Sequence, residues 1–246
     1  LGSMYARGRG VPKDDKEAVK WYRLAADRGH VDAQYNLGFM YARGRGVPKD
    51  DKEAVKWYRL AADRGYVDAQ FVLGLMYHYG RGVPKDNKEA AKWCRLAANQ
   101  GDAKAQYTLA RIYEDGRGVP KDDKEAVKWY RLAADQGYAK AQATLARIYE
   151  DGRGVPKDDK EAVKWYRLAA NQGLVNAQFS LALMYAMGTG VPTDALRAYM
   201  WADIAGASGL DVGKFKAILT GEMSRDEIAR AQEMSKQYIK DHPDVY

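Results

Sequence analysis

The chain has 246 residues, 40 lysines and arginines against 33 aspartates and glutamates, a net charge of +7 and a pI near 9.2. This moderate basicity permits a polyanionic partner without indicating one. No apolar run is long enough to cross a bilayer as a helix, and the single cysteine, Cys94, excludes an intramolecular disulfide framework.

Six tryptophans fall at Trp21, Trp57, Trp93, Trp129, Trp165 and Trp201, each 36 residues from the last. Pro12, Val11, Gly10 and Gly29 begin series with the same period. A fixed period of this length marks a tandem array of supersecondary units that bury their apolar faces on one another. Length is then a poor guide to domain number. The chain begins inside a unit, or on appended residues that mimic one, because Leu1-Gly2-Ser3-Met4-Tyr5 aligns with Leu37-Gly38-Phe39-Met40-Tyr41. The N-terminus therefore reads as truncated, and an upstream targeting segment would be invisible.

Within each unit, a helix B comes first. Asp14, Asp50, Asp86, Asp122, Asp158 and Asp194 stand at its N-cap, and in all but the last copy a glutamate follows three residues later, a capping-box pattern. On a helical wheel Ala18, Trp21, Tyr22 and Ala25 share one face, and Lys16, Lys20 and Arg23 the opposite one. The helix runs for about 13 residues and stops near Gly29, where glycine accepts a left-handed backbone. Helix A follows: Ala33, Leu37, Met40 and Tyr41 lie on one face, and Gly44 and Gly46 end it before the loop to the next helix B. Small residues at Ala25, Ala26, Ala33 and Gly38 let the axes approach. From Leu210 the ruler breaks. Leu210 to Leu219 reads as a degenerate helix A, and Ser224 with Glu227 caps a last helix with Ile228, Ala231, Ser235 and Tyr238 on one face. The organisation expected is a tandem array over 1–209 and a degenerate helix plus capping helix over 210–246, with a frayed tail from Asp241 to Tyr246.

These residues carry a resemblance. Ala33, Leu37, Gly38, Met40, Tyr41, Gly44, Gly46, Val47, Asp50, Ala54, Trp57, Ala61, Ala62 and Gly65 form a pattern similar to the Sel-one-like repeat (SLR) family, relatives of the tetratricopeptide repeat. It covers residues 1 to about 209, with Ala110 and Ala146 where the motif has glycine. The resemblance implies an all-α, right-handed superhelical solenoid of about six 36-residue repeats, with A helices on the concave side and B helices outside. It also implies an adaptor or scaffold for other proteins. Bacterial members are often periplasmic or exported, which leans towards that location without fixing it. Cysteine-rich relatives bind or cleave β-lactams, but the paired cysteines are missing here, so that activity is not carried over.

The stripe of helix A opposite Ala33 and Leu37 is the first candidate site. It reads Tyr35, Phe39 and Ala42, then Phe71, Leu75 and His78, then Tyr107, Arg111 and Glu114, then Ala143, Arg147 and Glu150, then Phe179, Leu183 and Ala186. Helix B barely changes between copies, whereas this stripe changes from apolar to charged and back. The functional reading is a groove for a protein or peptide partner; the competing one is that positions 35 and 39 pack against the next repeat. The second candidate is the basic ridge of helix B, which could follow an anionic polymer or surface, against an ordinary solvated face with carboxylate partners such as Asp27 beside Arg23. No specific nucleic-acid recognition is indicated, since few exposed aromatics interleave with the lysines. The GRGVPKD loops lack the Gly-Lys-Ser/Thr and preceding strand of a phosphate loop.

Enzyme chemistry finds little support. His30, His78 and His242 are scattered, and neither metal-ligand spacing nor Ser-x-x-Lys nor Gly-x-Ser-x-Gly occurs. His78 with Tyr77 and Tyr79 reads as a polar-aromatic cluster of the groove. The expectation is a noncatalytic protein-binding scaffold without cofactor or metal, with an electrostatic binder second and a cryptic hydrolase third. Weak self-association through open repeat ends is a further expectation.

Overall fold

Fourteen helices and no strand occupy the described residues, 1–243 and 245, of the computed structural model. They divide into two compact units, Leu1–Lys121 and Asp122–Tyr246. The first contains α1 (Gly2–Arg7), α2 (Asp15–Asp27), α3 (Val31–Arg43), α4 (Asp51–Asp63), α5 (Val67–Tyr79), α6 (Asn87–Asn99) and α7 (Ala103–Asp115). The second contains α8 (Asp123–Asp135), α9 (Ala139–Asp151), α10 (Asp159–Asn171), α11 (Val175–Met187), α12 (Ala195–Ala207), α13 (Gly213–Thr220) and α14 (Arg225–Asp241). Within each unit successive helices, joined by short loops, pack on one another, except that α14 packs on α12.

Every helix B starts on an aspartate cap. Asp50 Oδ1 accepts from the Glu53 amide at 2.9 Å, and Asp14, Asp86, Asp122, Asp158 and Asp194 do the same. A cap of this kind is worth about 1 kcal/mol. The reciprocal half of the capping box differs from the sequence reading. The side chains of Glu17, Glu53, Glu89, Glu125 and Glu161 pair with the lysine three residues on. The lysine outcompetes the cap amide because an ion pair along the helix costs the glutamate no backward turn. Among the described residues only α14 shows the complete box, between Ser224 and Glu227.

The core is a ladder of small and branched residues. Ala18, Leu37 and Met40 are buried in one layer, and Ala54, Tyr58, Ala61, Leu73 and Met76 in the next, with Trp57 and Trp93 each packed on such layers. Trp21 is the exception: with only the short α1 ahead of it, it keeps 37 % of its surface exposed. A feature absent from the sequence reading ties the helices together. The buried Gln34, Gln70 and Gln106 donate through Nε2 to the carbonyls of Ala26, Ala62 and Ala98 at 3.1–3.3 Å, and Gln142 and Gln178 repeat this on Ala134 and Ala170. Each amide is a second donor to a carbonyl at the C-terminal end of the preceding helix B, which also accepts from the backbone amide of the glycine three residues on.

The loop glycines are constrained by geometry. Gly44 closes α3 at φ 66°, and Gly46, at φ 69°, lies so close to the preceding repeat that a Cβ would fall 2.1 Å from the Asp15 carbonyl oxygen. Arg45 between them forms a two-pronged ion pair with Asp15, at 2.7 and 3.1 Å.

The C-terminal segment departs from its expected bounds. The degenerate helix A is α13, which starts at Gly213, so Leu210 to Val212 are connection. The capping helix α14 packs on α12: Trp201 meets the Tyr238 ring edge-on at 5.0 Å, and Ser235 donates to Asp203 at 2.6 Å. It extends to Asp241, where fraying was expected, and Asp244 and Tyr246 lie outside the described residues.

Candidate protein-binding face

In the first unit, α3, α5 and α7 present the variable stripe, and clefts open between them. One of about 320 Å³ lies between α3 and α5, with Tyr35, Phe39 and Arg43 on one wall, Val72, Leu75 and Tyr79 on the other, and Tyr58 at the floor. A second of about 240 Å³ lies between α5 and α7, lined by Leu75, His78, Tyr79, Tyr107, Arg111 and Arg117. Leu75 and Tyr79 form the wall common to both, and Tyr79 is 67 % exposed. A third, of about 260 Å³, lies between α1 and α3, lined by Ala6, Arg7, Tyr22, Asn36, Phe39 and Arg45.

The candidate residues divide by what they touch. Tyr35 lies 5.6 Å from Tyr58 and 5.1 Å from Tyr66, and burial raises its phenol pKa above the usual value. Phe39 packs on two consecutive core layers, and Phe71 on the layer of Ala91, Cys94 and Ile112. Tyr35 and Phe39 therefore join repeats and line clefts at once, whereas Phe71 serves packing. Leu75 and Tyr107 are half-buried cleft walls, Arg111 stands exposed at the rim, and Glu114 is half-buried. His78 meets Tyr79 edge-on at 4.8 Å, and its pKa is lowered by burial first and by Arg117 and Lys85 next. Tyr77 turns away from this pair to accept a hydrogen bond from Arg59, so the expected three-residue cluster reduces to His78 and Tyr79.

In the second unit Arg147 is exposed and Leu183 half-buried. Glu150 accepts a hydrogen bond from Tyr166 at 2.9 Å, and burial, then Glu150 itself, raises the Tyr166 pKa. Phe179 meets Phe215 of α13 edge-on at 5.3 Å, so the C-terminal segment covers part of its ring.

The helix B ridge carries paired charge. Besides the lysine–glutamate pairs, Arg23 donates to the Tyr41 hydroxyl and lies 5.7 Å from that ring's centre. Arg59, Arg95, Arg131 and Arg167 repeat the bond on Tyr77, Tyr113, Tyr149 and Tyr185. The suggested Asp27 partner of Arg23 is thus replaced by a tyrosine of the following helix A. Sequence reading also missed Leu24, Leu60, Leu96, Leu132 and Leu168, all exposed on this ridge.

Cys94 is buried at the base of the second cleft, and burial pushes its thiol up to about 12, the opposite of an activated nucleophile. Among the described residues no group of three or more His, Cys, Asp or Glu side chains is placed to hold a metal ion, and no helix is long and apolar enough to cross a membrane.

The Sel1 repeat pattern matches six consecutive segments, residues 1–30, 31–66, 67–102, 103–138, 139–174 and 175–210. The chain belongs to the Sel1 repeat family. Proteins built from Sel1 repeats are generally noncatalytic protein-interaction scaffolds. Among solved structures, a Sel1 repeat protein from Oxalobacter formigenes is 40 % identical with a TM-score of 0.78, over 89 % of this chain and 64 % of its own. This Sel1 chain therefore spans a little under two thirds of that relative. A protective antigen of uropathogenic Escherichia coli with an SLR fold is 28 % identical with a TM-score of 0.59, over 100 % of this chain and 68 % of its own. Comparison with curated protein sequences finds no match.

Proposed function

We propose that this Sel1 repeat protein is a noncatalytic binding module whose A-helix face receives a partner peptide or helix. The observation that supports this most is the coincidence of variability and concavity. Helix B is nearly invariant between copies, whereas the side chains at positions 39, 75 and 111, which change from phenylalanine to leucine to arginine, line the clefts between A helices. Clefts with a few half-exposed aromatics and aliphatics suit side-chain anchors of a bound segment. In the second unit, Arg147 and Leu183 are offered to the same end.

The ridge of helix B supports less. Lys20, Lys56, Lys92, Lys128 and Lys164 are paired along the helix and the arginines are held by tyrosines, so an anionic polymer would have to displace these partners to use more than the remaining lysine of each copy.

The test uses Leu75→Ser and Leu183→Ser, separately and together. These positions are preferable to Phe39, whose loss would also open two core layers. The expected result is unchanged far-UV circular dichroism and retained cooperativity, with partner affinity lowered about tenfold per anchor. A partner that binds both variants as tightly as the parent, but is released by moderate salt, would refute the A-helix reading in favour of the ridge.

A further inference from the structure

Three clefts of the first unit share a charge pattern. Each is rimmed by two arginines: Arg7 with Arg45, Arg43 with Arg81, and Arg111 with Arg117. In each pair the loop arginine is committed. Arg45 holds Asp15 at 2.7 Å, Arg81 holds Asp51 at 3.1 Å, and Arg117 holds Asp115 at 3.2 Å. The helix arginine is not ion-paired: among the described residues Arg7, Arg43 and Arg111 have no carboxylate partner and all three are exposed, Arg43 lying over the Phe39 ring at 5.8 Å from its centre. Asp115 lines the second cleft, but Arg117 already holds it, so the face carries unneutralised positive charge beside an apolar floor.

We infer that the A-helix face of the first unit binds an acidic segment of a partner protein that also carries aromatic or aliphatic anchors. This rests on the proposed A-helix binding face and names the chemistry of its occupant. A carboxylate against Arg43 or Arg111 would form a charge-assisted, two-pronged hydrogen bond of the kind Arg45 makes with Asp15. An apolar side chain of the same segment would enter between Phe39, Leu75 and Tyr79. Successive A helices lie about 10 Å apart, which an extended segment covers in about three residues. The partner would therefore carry a carboxylate at roughly every third position, with apolar residues between. A basic segment would meet like charge at every rim, and a neutral one would leave the arginines solvated without gain.

The experiment measures fluorescence anisotropy of three labelled synthetic peptides of about 12 residues. All share phenylalanine and leucine anchors; the remaining positions are glutamate, glutamine or lysine. The glutamate peptide is expected to bind at least about tenfold more tightly than the glutamine peptide at low salt, with the difference shrinking as salt rises. Arg43→Glu with Arg111→Glu should abolish that preference and leave the glutamine peptide within about twofold, whereas Lys92→Glu on helix B should change neither. Equal binding of glutamate and glutamine peptides, with both lost in Leu75→Ser, would overturn the acidic specificity and leave the A-helix face intact. Glutamate-peptide binding that ignores both Leu75→Ser and the arginine reversals would overturn both readings. A lysine peptide that binds best, or a glutamate peptide that does not bind at all, would overturn the acidic inference.

Discussion

The sharpest quantitative consequence of the packing concerns two glycines with similar backbones and different surroundings. Gly46 and Gly65 both have positive φ, at 69° and 86°. An added Cβ at Gly65 meets nothing within 4 Å, whereas at Gly46 it would lie 2.1 Å from the Asp15 carbonyl oxygen and 2.8 Å from the Lys16 nitrogen. Gly65→Ala should therefore cost only the left-handed penalty, about 1–2 kcal/mol. Gly46→Ala adds a clash with backbone that no rotamer change relieves. The loop must move off the N-terminus of α2, an overpacking cost of about 1–3 kcal/mol, and the Arg45–Asp15 pair is stretched with it. The total for Gly46→Ala is about 2–5 kcal/mol. Urea unfolding followed by circular dichroism would give the difference. Because an array couples only neighbours, amide exchange should rise first in the loop at 44–50 and the first turn of α2. Equal destabilisation by the two substitutions, or faster exchange spread evenly over the first unit, would refute the loop-to-helix contact as the cause.

Three further outcomes follow from the same structure. Cys94 should resist alkylation at pH 8 until the chain unfolds; its raised pKa means stability is complete below the ordinary thiol value of 9.0 and declines as pH climbs towards about 12. Tyr66, raised to about 12 mainly by burial, adds to that alkaline loss, so Cys94→Ala should flatten the fall in urea midpoint only in part. A double-mutant cycle on Arg45 and Asp15 should give a coupling of about 0.5–1 kcal/mol, as fits a two-pronged but partly exposed pair. Since the bond to Arg45 lowers the Asp15 pKa below 3.8, the coupling should persist at neutral pH and vanish only in strong acid; a coupling lost by pH 5 would contradict the pairing. Gln70→Leu should cost about 0.5–1.5 kcal/mol, because the Ala62 carbonyl keeps the Gly65 amide at 2.9 Å and loses only its second donor, while Gln100 loses its 2.8 Å bond to Gln70; an unchanged denaturation midpoint would show that these two side-chain bonds hold nothing.

The parts legible in the sequence are those decided by local chemistry. An aspartate before an apolar run caps a helix wherever it sits, glycine accepts the left-handed stop, and a tryptophan every 36 residues reports the array before any contact is known. What was not legible depends on which neighbour a side chain meets across the array. Arg23 could have taken Asp27 along its own helix, but Tyr41, eighteen residues on, is closer in space. Tyr77 and Tyr79 are sequence neighbours that serve opposite helices. Gln34 and its counterparts did leave a signal, a glutamine every 36 residues beside a buried alanine, although its meaning needs the facing carbonyl.

The same dependence explains why the A-helix stripe resists a choice between groove and packing. Position 35 is a wall of a cleft because Tyr58 and Tyr66 stand beside it, and position 179 is partly covered because α13 brings Phe215 to it. The outer face of helix B obeys this logic too. Leu168 keeps 47 % of its surface exposed, whereas its counterpart one period on, Ile204, is fully buried in α12, the helix that α14 packs against. The apolar position on the ridge is thus not intrinsically a solvent position. It is covered where the chain supplies a helix and left open in the repeats where it does not, so burial in a repeat array is a property of what lies next to a motif rather than of the motif.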